Sequence, residues 1–541
     1  MDNMTFGNQK FKIENGILKG QEVSVDVGDA DVGKEVLQTL INNPDFVCLI
    51  DAVTGEECTF KRMADESVKC ALWLRKEGMK LGDAVCVFTH NHLNTYIPCL
   101  ATLFNRGILC PSFSGHTIEN LQYILELIKP KFIFANEREA ILIDKIVNDK
   151  KWNIKIVTFE KIEKFITIEE ICDEKLINTC EINEFSCIKP NSSDDSCFLI
   201  FTSGSSGEPK PTLHLYRSVM NTMLTCLKIK NSERNISLNS SPLGWVTGTV
   251  NTILDPLSFS KKIIIHEKGH EPEEIFKFIE KYKVTNLVLG LDMIYKCYKV
   301  KNWRDYDLSS IKRMSIGGTK LNTKVIEFFQ EIFPNGNIQF GYGSTELLLI
   351  AFKTLINKEN LETCGFIIPG VQVKVINPQN GNILQPNETG ELCFKTPFMM
   401  KEYYNNPEAT KIAIDDEGWY HSKDLGYFDE NGYGYIAGRK TNLSIIDENN
   451  SIHWEIERIL LLNASVVEVA TISNSKCKNL KIFAFVTIVP GSKVTEKELS
   501  DMIKFLGIKK LEVTVKVLES LPLTYNGKIK MEILRKMTES M

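Results

Sequence analysis

The sequence of 541 residues lacks any run of about 18 apolar residues, the length that a membrane-spanning helix needs. Its first residues, Met1 to Lys12, are polar and contain no apolar segment of the kind that a secretory signal requires. The residues 538–541 spell T-E-S-M and differ from the S-K-L peroxisomal signal. We therefore expect a cytoplasmic protein without a transmembrane segment, with a peroxisomal location left open.

A strong excess of one charge is also missing. Lysine and arginine number 64 and aspartate and glutamate number 69, and this net charge of −5 is too small to indicate a nucleic-acid-binding or membrane-surface protein. The 15 cysteines show neither C-x-x-C pairs nor the Cys/His spacing of a zinc site. Such a set is typical of reduced thiols in an intracellular protein.

The composition is that of an ordinary globular protein, with 43% hydrophobic and 25% charged residues. Short apolar runs alternate with amphipathic segments through the middle of the chain. Lys261–His266 predicts a strand, residues 272–282 predict a helix with one apolar face, and Val284–Leu289 predicts the next strand. A strand, a helix and a strand within about 30 residues form a βαβ unit, which indicates a parallel sheet.

The later part of the sequence has a different pattern. Val371–Ile376 and Gly390–Lys395 flank a turn and predict antiparallel strands, and a smaller set of strands and helices follows residue 440. The sequence therefore predicts an α/β protein with two parts. Residues 1–439 would form a large N-terminal body of several subdomains, with mixed and parallel sheets flanked by helices and a β-rich subdomain. Residues 440–541 would form a small α+β lid domain.

A loop rich in serine and glycine follows the strand predicted at Cys197–Phe201. Backbone N–H groups and hydroxyls in such a loop can surround phosphate oxygens, and a lysine adds positive charge. The pattern is not a Walker A loop, because its lysine lies between two prolines. For an isolated cluster of this kind, a flexible surface loop is the alternative. The phosphate-binding candidates are Thr202, Ser203, Gly204, Ser205, Ser206, Gly207 and Lys210.

Four further segments carry side chains that suit a nucleotide. The segment G-Y-G-S-T-E at 341–346 combines an aromatic ring, a hydroxyl and a carboxylate, which suit base stacking, phosphate contact and Mg²⁺ binding. Asp424 can accept hydrogen bonds from two ribose hydroxyls. Arg439 lies where the large body ends, and Lys528 lies near the C-terminus. Three of the four have a plainer alternative: a turn with a solvated Glu346, a hairpin with a capping Asp424, and a surface lysine at Lys528.

Together and in this order, these five motifs resemble those of the adenylate-forming superfamily, which includes acyl-CoA synthetases, 4-coumarate–CoA ligases and firefly-type luciferases. The resemblance covers roughly residues 45 to 535, and the stretch from Tyr404 to Glu430 is particularly similar to insect acyl-CoA synthetases and luciferase relatives. It implies a two-step reaction. A carboxylate attacks the α-phosphate of ATP to give acyl-AMP and pyrophosphate, and the thiol of CoA then attacks the acyl-AMP.

The resemblance also implies a role for each motif. The loop 202–210 would hold the β- and γ-phosphates, and three residues, Thr345, Glu346 and Lys528, would be catalytic. Lys528 would approach on the mobile lid and bridge the attacking carboxylate and the α-phosphate. The remaining implied contacts are Tyr342 with Gly341 and Gly343 at the adenine, Gly317, Gly318 and Thr319 on the adenine and acyl side, Thr345 at the α-phosphate, Glu346 at Mg²⁺, and Asp424 and Arg439 at the ribose.

The segment G-W-V-T-G at 244–248 is similar to the G-W-x-x-G segment of short- and medium-chain acyl-CoA synthetases. The resemblance implies that Trp245, Thr247 and Gly248 belong to the acyl pocket, where the tryptophan could line or close a tunnel. The alternative is a core tryptophan that contacts no ligand. Luciferases typically carry a pair of histidines in this segment, and this sequence does not.

The sequence departs from the family pattern in three places. Lys423 stands where glycine is usual, and Pro211 replaces a usual glycine after Lys210. In the segment after Arg439, Thr441 takes the hinge position, Asp447 a usually basic or polar position, and Glu448 the position of a glycine. In the family this segment borders the tunnel for the pantetheine arm of CoA. We therefore expect complete adenylation machinery and a weaker thioester-forming step.

The leading hypothesis is an acyl-CoA synthetase, an AMP-forming acid–thiol ligase that uses ATP, Mg²⁺ and CoA. Its substrate would be a fatty or aromatic carboxylic acid, with a fatty acid favoured. Two alternatives are a luciferase-like monooxygenase and a degenerate protein that binds an adenylate without turnover. The sequence does not give the acyl chain length or the oligomeric state.

Overall fold

The computed structural model describes most of the chain, in segments separated by short gaps. All structural statements below concern these segments. They are residues 11–23, 31–173, 181–182, 184–202, 209–229, 235–266, 269–318, 323–348, 350–356, 360, 363–439, 452–461, 463, 465–474, 481–489, 491–505, 512–522 and 529–539.

The described residues form 26 strands. In chain order they are β1 (Phe11–Glu14), β2 (Ile17–Gly20), β3 (Val47–Asp51), β4 (Glu57–Thr59), β5 (Ala84–Phe88), β6 (Ile108–Ser112), β7 (Phe132–Ala135), β8 (Lys155–Thr158), β9 (Ile166–Thr167), β10 (Ser196–Phe201), β11 (Pro211–Leu215), β12 (Ile236–Asn239), β13 (Lys261–Ile264), β14 (Asn286–Val288), β15 (Arg313–Gly317), β16 (Asn337–Gly343), β17 (Ile350–Leu355), β18 (Gly365–Ile367), β19 (Gln372–Ile376), β20 (Gly390–Lys395), β21 (Glu402–Tyr403), β22 (Tyr420–Phe428), β23 (Tyr433–Arg439), β24 (Val466–Asn474), β25 (Lys481–Ile488) and β26 (Glu512–Leu518).

The same residues form 15 α-helices and three 3₁₀ turns. The helices are α1 (Val32–Asn42), α2 (Phe60–Lys76), α3 (Tyr96–Phe104), α4 (Ile118–Ile128), α5 (Glu137–Lys150), α6 (Ile168–Ile171), α7 (Tyr216–Ile229), α8 (Val246–Leu257), α9 (Pro272–Tyr282), α10 (Leu291–Tyr298), α11 (Thr323–Ile332), α12 (Pro407–Ala413), α13 (Ile452–Leu461), α14 (Glu496–Phe505) and α15 (Met531–Glu539), and the 3₁₀ turns are Leu93–Thr95, Trp303–Asp305 and Thr345–Leu347.

The largest sheet has 15 strands and two halves. Its order is β1-β2-β19-β20-β22-β23-β18-β17-β16-β15-β14-β12-β13-β3-β4. The run from β16 to β3 is parallel, and α8, α9 and α11 connect its strands. From β16 to β1 the neighbours are antiparallel. One sheet therefore contains both the predicted βαβ region and the predicted β-rich region.

A second sheet of eight strands has the order β21-β11-β10-β6-β5-β7-β8-β9. It is parallel from β10 to β9, and the β10–β11 hairpin and β21 extend it with antiparallel pairs. A third sheet, β24-β25-β26, contains the C-terminal strands and packs against α13, α14 and α15. These three sheets and their helices confirm the predicted α/β fold with a small C-terminal α+β part.

Local signals explain why the predicted βαβ unit folds as expected. Helix α9 begins with Pro272 in its first turn, where the missing N–H costs no hydrogen bond. The Glu274 carboxylate accepts a hydrogen bond of 2.9 Å from the N–H of Glu271, which caps the start of the helix. Ile275 and Ile279 are fully buried on one face. Lys283 ends the helix in the left-handed conformation, with φ of 51°.

The cysteines and the helices of the described segments match two expectations from the sequence. All 13 cysteines in the described segments have free thiols, as the sequence predicts for reduced cysteines. Among the described helices, none has both the length and the apolar character needed to cross a bilayer.

A buried histidine makes the stability of the body sensitive to acid. His116 is 8% exposed, its Nε2 lies 2.8 Å from the Ser112 hydroxyl, and its ring stacks on Phe113 with centroids 4.4 Å apart. Burial, and then the charge of Arg138, lowers the pKa of His116 to about 4. The unfolded chain has a histidine pKa of roughly 6.5, so between these two values the unfolded state binds the extra proton.

We therefore expect the free energy of unfolding of His116→Gln to fall less steeply than that of the wild-type protein as the pH is lowered. Stability that depends on the neutral ring is complete above pH 6.5 and is lost as the pH falls towards 4, by about 1.4 kcal/mol per pH unit. Urea unfolding of the wild-type protein and of the variant from pH 7.5 to 4.5 measures the difference in their free energies of unfolding. Contributions from carboxylates that both proteins share cancel in this difference. Parallel profiles for the two proteins would contradict the assignment.

Candidate active site

The carboxyl ends of two parallel strands place the predicted adenine-side residues together. In the register of β15 and β16, Gly317 pairs with Gly341. Gly318 follows with φ of 87°, a backbone conformation that favours glycine. Ligands of open α/β sheets bind outside the carboxyl ends of the strands, which makes this edge the natural place for a nucleotide. Thr319 lies outside the described residues.

Glu346 lies in the 3₁₀ turn that follows β16. It is 9% exposed, and its Oε1 accepts a hydrogen bond of 2.7 Å from the Tyr403 hydroxyl. The backbone is held as well, because the N–H of Met400 donates to the Glu346 carbonyl at 2.6 Å. Burial, and then the Glu346 carboxylate, raises the pKa of Tyr420 well above its usual range. The buried Glu346 carboxylate thus lies beside two tyrosines, of which Tyr403 donates a hydrogen bond to it.

Lys210 lies near this carboxylate because of strand pairing. The β10–β11 hairpin closes with a hydrogen bond of 2.9 Å from the N–H of Thr202 to the carbonyl of Lys210. In the next strand pair, Thr212 of β11 lies beside Tyr403 of β21. The Lys210 Nζ lies over the Tyr403 ring, 5.4 Å from its centre, and Glu346 accepts a hydrogen bond from the hydroxyl of the same tyrosine. Ser203, Gly204, Ser205, Ser206 and Gly207 lie outside the described residues.

Asp424 lies across the edge from Glu346 and contacts the predicted adenine-side tyrosine. The Tyr342 hydroxyl donates to Asp424 Oδ2 at 2.6 Å. Asp424 is 7% exposed, and its register partner in β23 is Arg439, whose side chain is outside the described part. The pairing of β22 with β23 therefore joins the two predicted ribose-binding positions.

A bulge in β22 orients Asp424. The register with β20 shifts here, and the Ser422 hydroxyl donates to the Leu392 carbonyl at 2.7 Å and accepts from the N–H of Asp424 at 3.0 Å. Lys423 between them has φ of 62°. This left-handed conformation costs a residue other than glycine roughly 1–2 kcal/mol, which explains why glycine suits the position.

The predicted acyl-pocket residues lie at the start of α8. Trp245 is the N-cap residue, and its buried indole N–H has no hydrogen-bond partner among the described residues. A Cβ on Gly248 would overlap the Pro242 carbonyl oxygen, so this glycine permits close packing of the preceding turn. Thr247 is exposed. A buried donor without a partner among the described residues is a feature that a ligand-binding wall would contain.

Lys528 also lies outside the described residues, so its predicted role stays a prediction. Two tyrosines that contact or face Glu346, Tyr403 and Tyr420, were missed in the sequence. Tyr420 lies four residues before Asp424 in the same segment, but only Asp424 was assigned a role there. Only the pairing of distant strands brings Tyr403 to Glu346.

The described residues contain no group of three or more His, Cys, Asp or Glu side chains able to hold a metal alone. Mg²⁺ usually binds through one or two carboxylates together with phosphates and water, and Glu346 is a buried carboxylate with the chemistry of such a ligand. The described part of this edge thus combines two buried carboxylates, Glu346 and Asp424, with Lys210, a set of charges that can accommodate a nucleotide.

Comparisons with known proteins agree with this geometry. A family model described as AMP-binding enzyme matches residues 38–404. A luciferin 4-monooxygenase of Photuris pensylvanica is 27% identical, with 97% of this chain and 98% of that protein covered. A probable CoA ligase of Humulus lupulus is 28% identical, with 91% and 90% covered.

Solved structures give the same result for the fold. The luciferase-like enzyme from the nonluminescent mealworm Zophobas morio is 28% identical with a TM-score of 0.71, covering 78% of this chain and 98% of that one. An anthranilate CoA ligase in complex with anthranoyl-AMP has a TM-score of 0.83 and covers 94% and 98%, and its identity of 18% supports the fold alone. The matched family model covers more than half of the sequence, and the chain belongs to the AMP-binding enzyme family.

Proposed function

We propose that this protein activates a carboxylic acid with ATP, through an acyl-adenylate and pyrophosphate, and then transfers the acyl group to CoA. The observation that carries the proposal is the pair of buried carboxylates at one sheet edge. Glu346 and Asp424 each accept a hydrogen bond from a tyrosine, at 2.7 and 2.6 Å, and Lys210 lies close by. These residues come from distant parts of the sequence, and the two tyrosine contacts join Tyr342 to Asp424 and Tyr403 to Glu346.

The chemistry explains why these side chains would be needed. A carboxylate is already a competent nucleophile, so the main barrier is the approach of two anions. Lys210 would balance charge on the β- and γ-phosphates, Thr345 would donate to the α-phosphate, and Asp424 with Arg439 would hold the ribose. Mg²⁺, when bound at Glu346, supplies further charge neutralisation. Lys528 would add its charge when the lid closes and leave when it opens.

The proposal also specifies the acceptor of the acyl group and the class of carboxylic acid. Relatives named as CoA ligases support CoA as the acceptor, and a fatty acid is the favoured substrate, with an aromatic acid as the alternative. Relatives named as luciferin monooxygenases keep the oxygenase among the outcomes of the test.

The test is pyrophosphate release from ATP and a panel of fatty and aromatic acids, with CoA and oxygen added separately and the products identified by mass spectrometry. Release followed by acyl-CoA formation supports the proposal. Release with oxygen consumption and no thioester would indicate the monooxygenase. Nucleotide binding without release from any acid would indicate a protein that has lost turnover.

Glu448→Gly is expected to accelerate the thioester step and leave adenylation unchanged. Glycine would restore backbone freedom for the passing pantetheine arm. It would also remove one of two adjacent carboxylates from the path of a polyanionic cofactor, and such a repulsion is worth about 1 kcal/mol in water and more when shielded. Pyrophosphate exchange measures the first step and acyl-CoA yield the second.

Asp447 and Glu448 lie outside the described residues, so the expectation rests on the sequence comparison. Glu448→Gln is the matched control, because it removes the charge and keeps the side chain. If the wild-type protein already makes acyl-CoA as fast as it adenylates, and neither variant improves on it, the loop does not limit the thioester step.

A further inference from the structure

A small internal cavity lies beneath helix α8, between that helix, strands β3 and β13 and the 3₁₀ turn at Leu93–Thr95. Its volume is about 40 Å³. That is room for the end of a ligand or about three water molecules, at roughly 10–15 Å³ each. Most of the cavity surface is apolar, and its lining also contains polar and charged side chains, among them Asn91, His92, Asn251, Thr252, Asp255 and Lys262.

Lys262 is the feature of this cavity that calls for a ligand. It lies on β13 and is only 8% exposed, whereas lysines are almost never so deeply buried without a partner. Within the described parts of the chain, no residue makes a hydrogen bond or ion pair with it. Burial lowers the pKa of Lys262, and the charge of Asp255 opposes that change. An ammonium group that borders a cavity without a partner can donate to a bound oxygen atom.

Asp255 determines which oxygen-bearing group fits. It is also 8% exposed and lines the same cavity, so the two opposite charges roughly balance. A hydroxyl can accept from Lys262 and donate to Asp255, whose carboxylate can accept several hydrogen bonds. The terminal methyl group of a plain fatty acid, bound in the same place, could not accept a hydrogen bond from Lys262. A second carboxylate would bring another negative charge beside Asp255 in a low-dielectric interior.

Helix geometry connects the cavity with the candidate active site. Trp245, Gly248, Thr252 and Asp255 follow one another at spacings of three, four and three, which places them along one side of α8. At 1.5 Å per residue, Asp255 lies about 15 Å along the helix from Trp245. The loop before α8 leaves the carboxyl end of β12, on the same edge of the parallel sheet as Gly317 and Gly341.

We propose that the cavity receives the far end of the acyl chain and binds a hydroxyl there, between Lys262 and Asp255. The substrate class is then a fatty acid that carries a hydroxyl at or near its distal end. An extended chain advances roughly 1.3 Å per carbon, so a path of about 15 Å corresponds to about a dozen carbons. The inference rests on the proposed function, because it specifies the acid that the enzyme activates.

The experiment compares three kinds of acid in matched sets of roughly 10 to 16 carbons: plain, ω-hydroxy and α,ω-dicarboxylic. Pyrophosphate release gives kcat/KM for each acid. A thermal-shift series with the acids alone reports binding independently of turnover. The variants are Lys262→Met, which keeps the length of the side chain, and Lys261→Met, the matched control one residue earlier on β13.

In the wild-type protein, kcat/KM for the best ω-hydroxy acid should exceed that of the plain and dicarboxylic acids by roughly tenfold or more. The same ω-hydroxy acid should raise the Tm of the protein more than the other acids do. Lys262→Met should remove this preference and Lys261→Met should keep it. The double variant Lys262→Met/Asp255→Asn, which removes both charges, should also lack the preference and serves if the single variant does not fold.

A wild-type enzyme that treats the three acids alike would overturn the inference while leaving the proposed function intact. So would a hydroxyl preference that survives in the double variant. If no acid releases pyrophosphate but the ω-hydroxy acid still raises the Tm in a Lys262-dependent way, the cavity assignment stands and the proposed function fails. If neither readout responds, both are wrong.

Discussion

Replacement of Lys528 by alanine is expected to slow acyl-adenylate formation by roughly 10²- to 10³-fold, while the affinity for ATP hardly changes. The attacking carboxylate and the α-phosphate are both anions, so the charge that accumulates between them in the transition state needs a cation. A lid lysine would act there and would not contact adenine or ribose. Loss of one such donor typically costs about 3–4 kcal/mol. Single-turnover formation of acyl-AMP measures the rate, and calorimetry measures ATP binding.

Lys530→Ala is the matched control, because this exposed lysine lies two residues away. Its N–H donates to the Pro522 carbonyl at 2.7 Å, so the backbone bond survives the substitution. The control should adenylate at the wild-type rate. A wild-type rate in Lys528→Ala as well would show that Lys528 is a bystander. A parallel loss of ATP affinity would show that the lysine holds the nucleotide and does not act on the transition state.

Asp424→Ala is expected to weaken binding of ATP and of AMP to the same extent, because both nucleotides present the same ribose. Each hydrogen bond to a charged acceptor is worth roughly 1.5–3 kcal/mol, so two bonds correspond to a loss of about 10²- to 10⁴-fold in affinity. Calorimetric titration with both nucleotides measures this loss. Unchanged affinity would remove Asp424 from the site.

Two further variants separate ribose binding from damage to the sheet. Tyr342→Phe removes the 2.6 Å hydrogen bond to Asp424 and keeps the ring, so we expect nucleotide binding to weaken by about 1 kcal/mol. Asp429→Ala disturbs the turn between β22 and β23, where Asp429 accepts from the N–H of Tyr433 at 2.9 Å, without touching the site. An equal loss of affinity in Asp429→Ala would mean that the effect at Asp424 is structural.

Much of the fold could be predicted where local chemistry defines an element. The strand Gly390–Lys395 has its predicted bounds because turn residues flank it. Val284–Leu289, in contrast, is a strand only at Asn286–Val288. Its neighbours β12 and β15 pair with these three residues, so distant strands decide where it ends.

In the candidate site, too, some residues could be predicted from local sequence and others depend on the pairing of distant strands. The order of the motifs made Tyr342, Thr345, Glu346 and Asp424 predictable through a resemblance, and the structure brings Tyr342 to Asp424. Tyr403 was not predictable, because it reaches Glu346 through the pairing of β21 with β11. Lys262 was hidden for a different reason: both faces of a central parallel strand are covered, so the pattern K-K-I-I-I-H does not show which lysine points inward.

The long-range pairing of the 15-stranded sheet sets the order in which the nascent chain can fold. Strand β3 needs β13, which begins about 210 residues later, and Lys19 of β2 needs Gln372, about 350 residues later. At roughly 5–20 residues per second, a ribosome takes about 10 to 40 seconds to supply the partner of β3. During this time β3 presents an apolar strand with an unpaired edge, a template for aggregation. Slower growth at low temperature or extra chaperone during expression should therefore raise the soluble yield more than any stabilising change in the finished protein.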